Sequence, residues 1–397
     1  MKEKTIFLLS FMLFIALFIT PISIAQDVIP LEDFFKNPEK SSYQISPDGK
    51  YFSYRAPYKT RMNVFVQKVG SKKAVRITSV TDRDIAGYYW ANPKTILYLK
   101  DSGGDENYSI YAADRSGKNE KCLTCIEGVR TQIIDDLEDM PDEMIIGLNK
   151  RDKRVFDAYR LNIKTGKMDM IAENPGNIQG WMTDHEGKLR VAIAVVDGIN
   201  SQILYRENES SKFKAVYTGN FKEALNPLFF TFDNKKLYVS SNLNRDKSAI
   251  YTYDVANNKL EDLIFENDRY DVAGLAYSKK RKVLTSVSWT SWKRQKHFLD
   301  ETTKNLYKRL EKDLGEYEIA ITGLNKNEDK MIIRTYSDRS LGAYYLFNVK
   351  TDKLEKIVDV SPWIDENKMA VQKPIKYIAR DGLEIEGYLT LPKGVDP

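Results

Sequence analysis

Few side chains in this 397-residue chain have the types and spacing that covalent chemistry requires. His185 and His297 are the only histidines, and Cys122 and Cys125 the only cysteines. A serine nucleophile needs a base within hydrogen-bond reach and donors aimed at the developing oxyanion. His185 falls in the turn Asp184-His185-Glu186-Gly187, and His297 begins an outer strand. Neither has a serine beside it in a strand-to-helix turn, and no Gly-x-Ser-x-Gly elbow occurs in residues 1–397. Turn and strand positions account for both imidazoles, so no catalytic residue is expected. A zinc site built on Cys122 and Cys125 would need two more ligands, and both histidines lie far away in sequence. No metal and no cofactor is therefore expected.

The remaining candidates are charged groups that could hold a substrate. In Asp101-Ser102-Gly103-Gly104-Asp105-Glu106-Asn107 the glycines permit a tight turn, and Asp105 and Glu106 could bind a free amine. The plainer alternative is a solvated turn whose aspartate caps backbone amides. Arg339, in Ser337-Asp338-Arg339-Ser340, could meet a peptide carbonyl or carboxylate, against the plainer reading of an ion pair between blades or domains. Trp289 and Trp292 read as packing or rim residues. Asn107-Tyr108-Ser109 and Asn208-Glu209-Ser210 fit the glycosylation pattern, which is common by chance.

The elements that must position these groups are strands. Residues 229–264 show the unit: short runs of Phe, Leu, Tyr, Val and Ile at 229–232, 237–241, 249–254 and 259–264, separated by Asn- and Asp-rich turns. This is the pattern of an antiparallel meander. The layout recurs, with first strands near Gln44, Tyr88, Ile133, Gly180, Phe229, Ala273 and Ile319, a period of roughly 45 residues. Such a unit has too little core by itself and buries its faces against its neighbours. The expected fold is thus all-β, a seven-bladed propeller of four-stranded antiparallel blades over 43–360. In the sixth unit the pattern breaks: Leu306, Leu310 and Leu314 are four apart over 302–314, which predicts a short helical insert.

The flanks differ from the blades. Lys2 and Lys4, the apolar run 6–19 and Ser23-Ile24-Ala25 describe a secretory signal peptide over 1–25, and so an exported, periplasmic or secreted protein. The apolar run is short for a membrane span. In an exported chain the Cys122/Cys125 spacing favours a local disulfide over two free thiols. A net charge of +5 with both signs interspersed gives no nucleic-acid or membrane patch. Residues 26–42 form an N-terminal extension and 361–373 a linker. Over 374–397 two alternating strands flank Arg380-Asp381-Gly382, a hairpin signal.

Several of these segments together resemble the prolyl oligopeptidase family of serine peptidases, in particular its exported acylaminoacyl-peptidase and dipeptidyl-peptidase-like branch. They are Ile29-Pro30-Leu31-Glu32-Asp33-Phe34-Phe35, Ser46-Pro47-Asp48-Gly49, the Asp105-Glu106 loop, Ser337-Asp338-Arg339 and the Arg380-Asp381-Gly382 hairpin. The resemblance implies that a propeller caps an α/β-hydrolase domain, of which 374–397 is the truncated start. It implies a non-catalytic, substrate-gating role here, the Ser-Asp-His triad being absent, and an oligopeptide substrate held with the hydrolase domain. Alone, the chain is expected to be inactive. The alternative is a stand-alone propeller that binds peptides or protein partners.

Overall fold

The computed structural model describes residues 28–395, so the expected signal peptide lies outside the described residues. Seven separate antiparallel sheets follow one another along the chain, each with its strands in sequence order. The innermost strands are Ser41–Ile45, Gly87–Asn92, Thr131–Asp135, Ile178–Thr183, Leu225–Phe230, Val272–Ser278 and Glu318–Leu324. The chain is a seven-bladed β-propeller. In blade five the first strand begins at Leu225, earlier than the sequence pattern placed it. It stops at Phe230 because Thr231 and Asp233 engage the turn: Thr231 Oγ1 accepts from Lys236 N at 3.0 Å, and Asp233 Oδ1 from Lys235 N at 3.2 Å.

Most of the apolar clusters lie between blades. Leu97, Ile110 and Leu123 of blade two meet Met144, Ile146 and Leu148 of blade three in one buried cluster. The seam between blades seven and one is built alike, with Ile332 and Leu346 packed among Tyr43, Ile45, Phe52 and Tyr54. Among the described residues no strand is shared across this seam. Polar links supplement the packing: Lys326 N donates to Pro47 O at 2.9 Å, and Lys330 Nζ to Gly49 O at 2.8 Å. The ring therefore closes by side-chain burial and a few hydrogen bonds.

Blade six has fewer strands than the other blades, at the point where the sequence marks a helical insert. It has three, ending with Arg294–Phe298, and the helix Glu301–Leu314 follows where a fourth strand would run. Asp300 caps the helix, its Oδ2 accepting from Thr303 N at 2.8 Å. Leu310 and Leu314 pack with Ile319, Met331, Ile333 and Phe347, the flank of blade seven. The helix thus replaces the missing strand as a packing partner without joining the sheet.

Strand alternation sorts the loops onto two faces. Connections between second and third strands, those between blades, and both ends of the ring share one face, called here the terminal face. Connections between first and second strands lie on the opposite face.

Candidate functional site

The terminal face gathers the groups of interest. After blade seven the chain forms a 3-10 turn at Glu366–Lys368 and then a hairpin, Gln372–Ile378 paired with Glu384–Thr390. The hairpin rests on blades six and seven. Arg269 Nη2 pairs with Glu384 at 2.5 Å and also with Glu386, while Lys376 reaches Glu386 at 3.0 Å. The Arg269 guanidinium holds the Glu384 carboxyl below the usual range. Tyr388 Oη donates to Trp292 O, and Gln372 N to Asp338 Oδ2 at 2.7 Å. Between hairpin and ring lies a cleft of 520 Å³ lined by Tyr270, Trp292, Ile375 and Tyr388.

The N-terminal extension is fastened to the same face. Trp363 Nε1 donates to Asp33 O at 2.9 Å, and Lys36 Nζ lies 4.5 Å from the Trp363 ring. Tyr317 Oη donates to Glu366 at 2.7 Å, and this hydrogen bond, with burial, pushes the phenol up to about 12.

Apolar side chains open to solvent concentrate here. Phe221 is 72% exposed, Ile199 64% and Leu341 54%, each in a loop of the terminal face. Phe35, Tyr377, Ile378 and Leu383 of the two flanking segments are also exposed. Among the described residues the opposite face offers far less, chiefly Leu324 and Val349 of blade seven. The exposed apolar residues are thus unevenly shared between the two faces.

Asp105 and Glu106 occupy the loop between the second and third strands of blade two, and Arg339 the equivalent loop of blade seven. All three therefore belong to the terminal face. Asp105 is used by its own loop. Its Oδ1 accepts from Ser102 N at 3.2 Å and Asn107 N at 3.0 Å, and its Oδ2 from Asn107 Nδ2 at 3.2 Å. The Asn107 amide, first among these donors, keeps the carboxyl below its ordinary value. The loop is braced from beneath by Asp101, buried and paired with Arg83 at 3.1 Å. Gly104 has φ +92°, a backbone conformation that any side chain would strain. Glu106 is exposed, with φ +56°, and its carboxylate has no partner among the described residues. Arg339 donates its backbone amide to Ser337 Oγ at 3.2 Å, and its guanidinium makes no ion pair among the described residues. Of the three candidates, Glu106 and Arg339 thus have no ion-pair partner among the described residues, though the Arg339 charge acts on the Tyr317 phenol.

Cys122 and Cys125 are bonded to each other, with their Cα atoms 5.8 Å apart at the edge of blade two. Among the described residues neither histidine has a serine partner. His185 Nε2 lies 2.9 Å from Phe230 O with its ring on Phe232, and His297 stacks on Phe265. Among the described residues no group of three His, Cys, Asp or Glu side chains could hold a metal ion. No described helix is long and apolar enough to cross a membrane.

Seven blades followed by a hairpin on the terminal face make this chain a β-propeller module with a C-terminal two-stranded appendage. No family model matches the chain. Its homologues include the dipeptidyl aminopeptidase BIII of Pseudoxanthomonas mexicana, 27% identical over 376 residues that cover 93% of this chain and 54% of the relative. Dipeptidyl peptidase family member 6 of Caenorhabditis elegans is 22% identical, covering 93% of this chain and 52% of the relative. The chain thus spans about half the length of the curated relatives it matches. Prolyl oligopeptidase B of Galerina marginata superposes with a TM-score of 0.61 at 12% identity, over 92% of this chain and 57% of that one. A structure from a study of two prolyl endopeptidases gives 0.63 at 12% identity, over 91% and 55%. These solved structures share the fold.

Proposed function

We propose that this chain is the non-catalytic, substrate-gating propeller of an exported serine peptidase that removes dipeptides or acylated residues from oligopeptides. The observation that carries the reading is the asymmetry of the two faces. The terminal face presents the exposed apolar residues, the hairpin with open edges, and the charges of Glu106 and Arg339. An apolar rim around a central channel suits a docked α/β-hydrolase domain, which would supply the Ser-Asp-His triad. Glu106 would take a substrate's ammonium and Arg339 a carbonyl or carboxylate, by charge-assisted hydrogen bonds. Export rests on the basic start, apolar run and small-residue site of the first 25 residues.

Two measurements test this. The coding sequence beyond codon 397 should continue in frame through Gly-x-Ser-x-Gly, then an Asp and a His. The purified chain should turn over no chromogenic dipeptidyl or acyl-aminoacyl substrate. Turnover that titrates with a serine-directed inhibitor would refute the non-catalytic role. A stop codon there, with saturable peptide binding by a stable product, would favour the stand-alone binding module instead.

A further inference from the structure

On the face opposite the termini, the first-to-second-strand loop of blade three behaves unlike its counterparts. It comprises residues 136–142, the longest of the seven such loops. Its tip does not stay with its own blade. Glu138 and Asp139 pair with Lys279 of blade six at 2.9 and 3.4 Å, and Asp139 pairs with Lys326 of blade seven at 3.0 Å. In a ring of seven, blade three stands directly across from the boundary between blades six and seven. These ion pairs therefore span the mouth of the central channel. Lys326 holds the Asp139 carboxyl below its ordinary value.

The base of the loop is held differently, by packing. Leu137 is buried with φ +48°, an uncommon conformation for leucine. With Met140 it covers Gly187 in the neighbouring loop of blade four, where a Cβ would fall 2.6 Å from Leu137 Cδ2. Asn92 Nδ2 of blade two donates to Pro141 O at 3.3 Å. One end is thus an apolar anchor and the other a set of ion pairs whose four side chains are each roughly half exposed. Half-exposed pairs are weak and screened by salt, whereas an apolar anchor is neither.

We propose that loop 136–142 is a hinged latch that shuts the channel on the face remote from the termini, anchored by Leu137 and released at Lys279 and Lys326. Closed, it leaves the terminal face as the open way into the channel, independently of what docks there. Opening parts the three pairs and draws Asp136, which also feels the Lys279 charge, away from it, with the blades unmoved.

Hydrogen exchange on the full chain tests the latch, with the variant Lys279→Gln/Lys326→Gln and with wild type in low salt and in molar salt. Exchange of 136–142 should be about ten-fold faster in the variant, and faster in wild type at high salt, while strands of blades three, six and seven keep their protection. The charge-swapped variant Glu138→Lys/Lys279→Glu should exchange more slowly than Glu138→Lys alone. Unchanged loop exchange in the variant would overturn the proposal. So would acceleration spread evenly over blades three, six and seven, because the pairs would then be struts of the ring.

Discussion

Replacing Ile332 with alanine probes how the ring is closed. Ile332 is fully buried at the seam of blades seven and one, where no described strand crosses and apolar packing carries the closure. The substitution removes three carbons, about 2.4 kcal/mol of transfer free energy at ~0.8 kcal/mol per buried methylene. The cavity left behind adds to this, so a loss of about 3–4 kcal/mol is expected. With an unfolding entropy of roughly 2 cal/mol/K per residue, 3 kcal/mol over a ring of this size lowers Tm by about 4–5 °C. Ile146→Ala is the control: Ile146 is equally buried, at the seam of blades two and three. Urea unfolding of both variants should show similar losses with similar slopes. A loss below about 1 kcal/mol for Ile332→Ala beside the full loss for Ile146→Ala would refute the reasoning, since the closing seam would then be open in solution.

Asp300→Ala should destabilise the chain by about 1–2 kcal/mol at pH 7, because the side chain caps the helix and pairs with Arg281 at 2.8 Å. Arg281 depresses the Asp300 carboxyl, so its contribution is present above the ordinary carboxylate range and is lost as pH falls through the lowered value. Wild type should lose this increment in urea titrations stepped to low pH, and Asp300→Ala should not. Arg269→Ala should speed amide exchange in the hairpin 372–390 without altering the blades, since Arg269 pairs with both Glu384 and Glu386. Global destabilisation instead would show the hairpin to be part of the ring's cooperative unit. Deleting 374–397 should raise solubility by removing exposed Tyr377, Ile378, Leu383 and two open strand edges, which light scattering can follow. Unchanged or lower solubility would contradict this.

Much of the architecture is legible in the residues because strand alternation and turn chemistry are local. The sequence pattern places the inner strand of blade two near Tyr88 and that of blade seven near Ile319, and the strands Gly87–Asn92 and Glu318–Leu324 contain them. The four-residue spacing of Leu306, Leu310 and Leu314 marks the helix of blade six for the same reason. That this helix supplants a strand is not legible, because whether Arg294–Phe298 gains a hydrogen-bonded neighbour depends on what packs beside it. The candidate site shows the same division. Gly103-Gly104 announces a turn, yet only the fold shows Asp105 spent on its own amides and Glu106 left free.

The sequence by itself thus determined the blades, their number and the hairpin that follows them, since each is written in a few dozen contiguous residues. Only the tertiary structure decided which charges meet. Glu138 and Lys279 are 141 positions apart, and Arg269 and Glu384 are 115 apart. No local pattern couples such pairs; closing the ring and laying the hairpin on its terminal face brings them within hydrogen-bond distance. The physical reason is that backbone conformation is set by neighbours in sequence, whereas an ion pair exists only once packing has fixed the blades across the channel from one another.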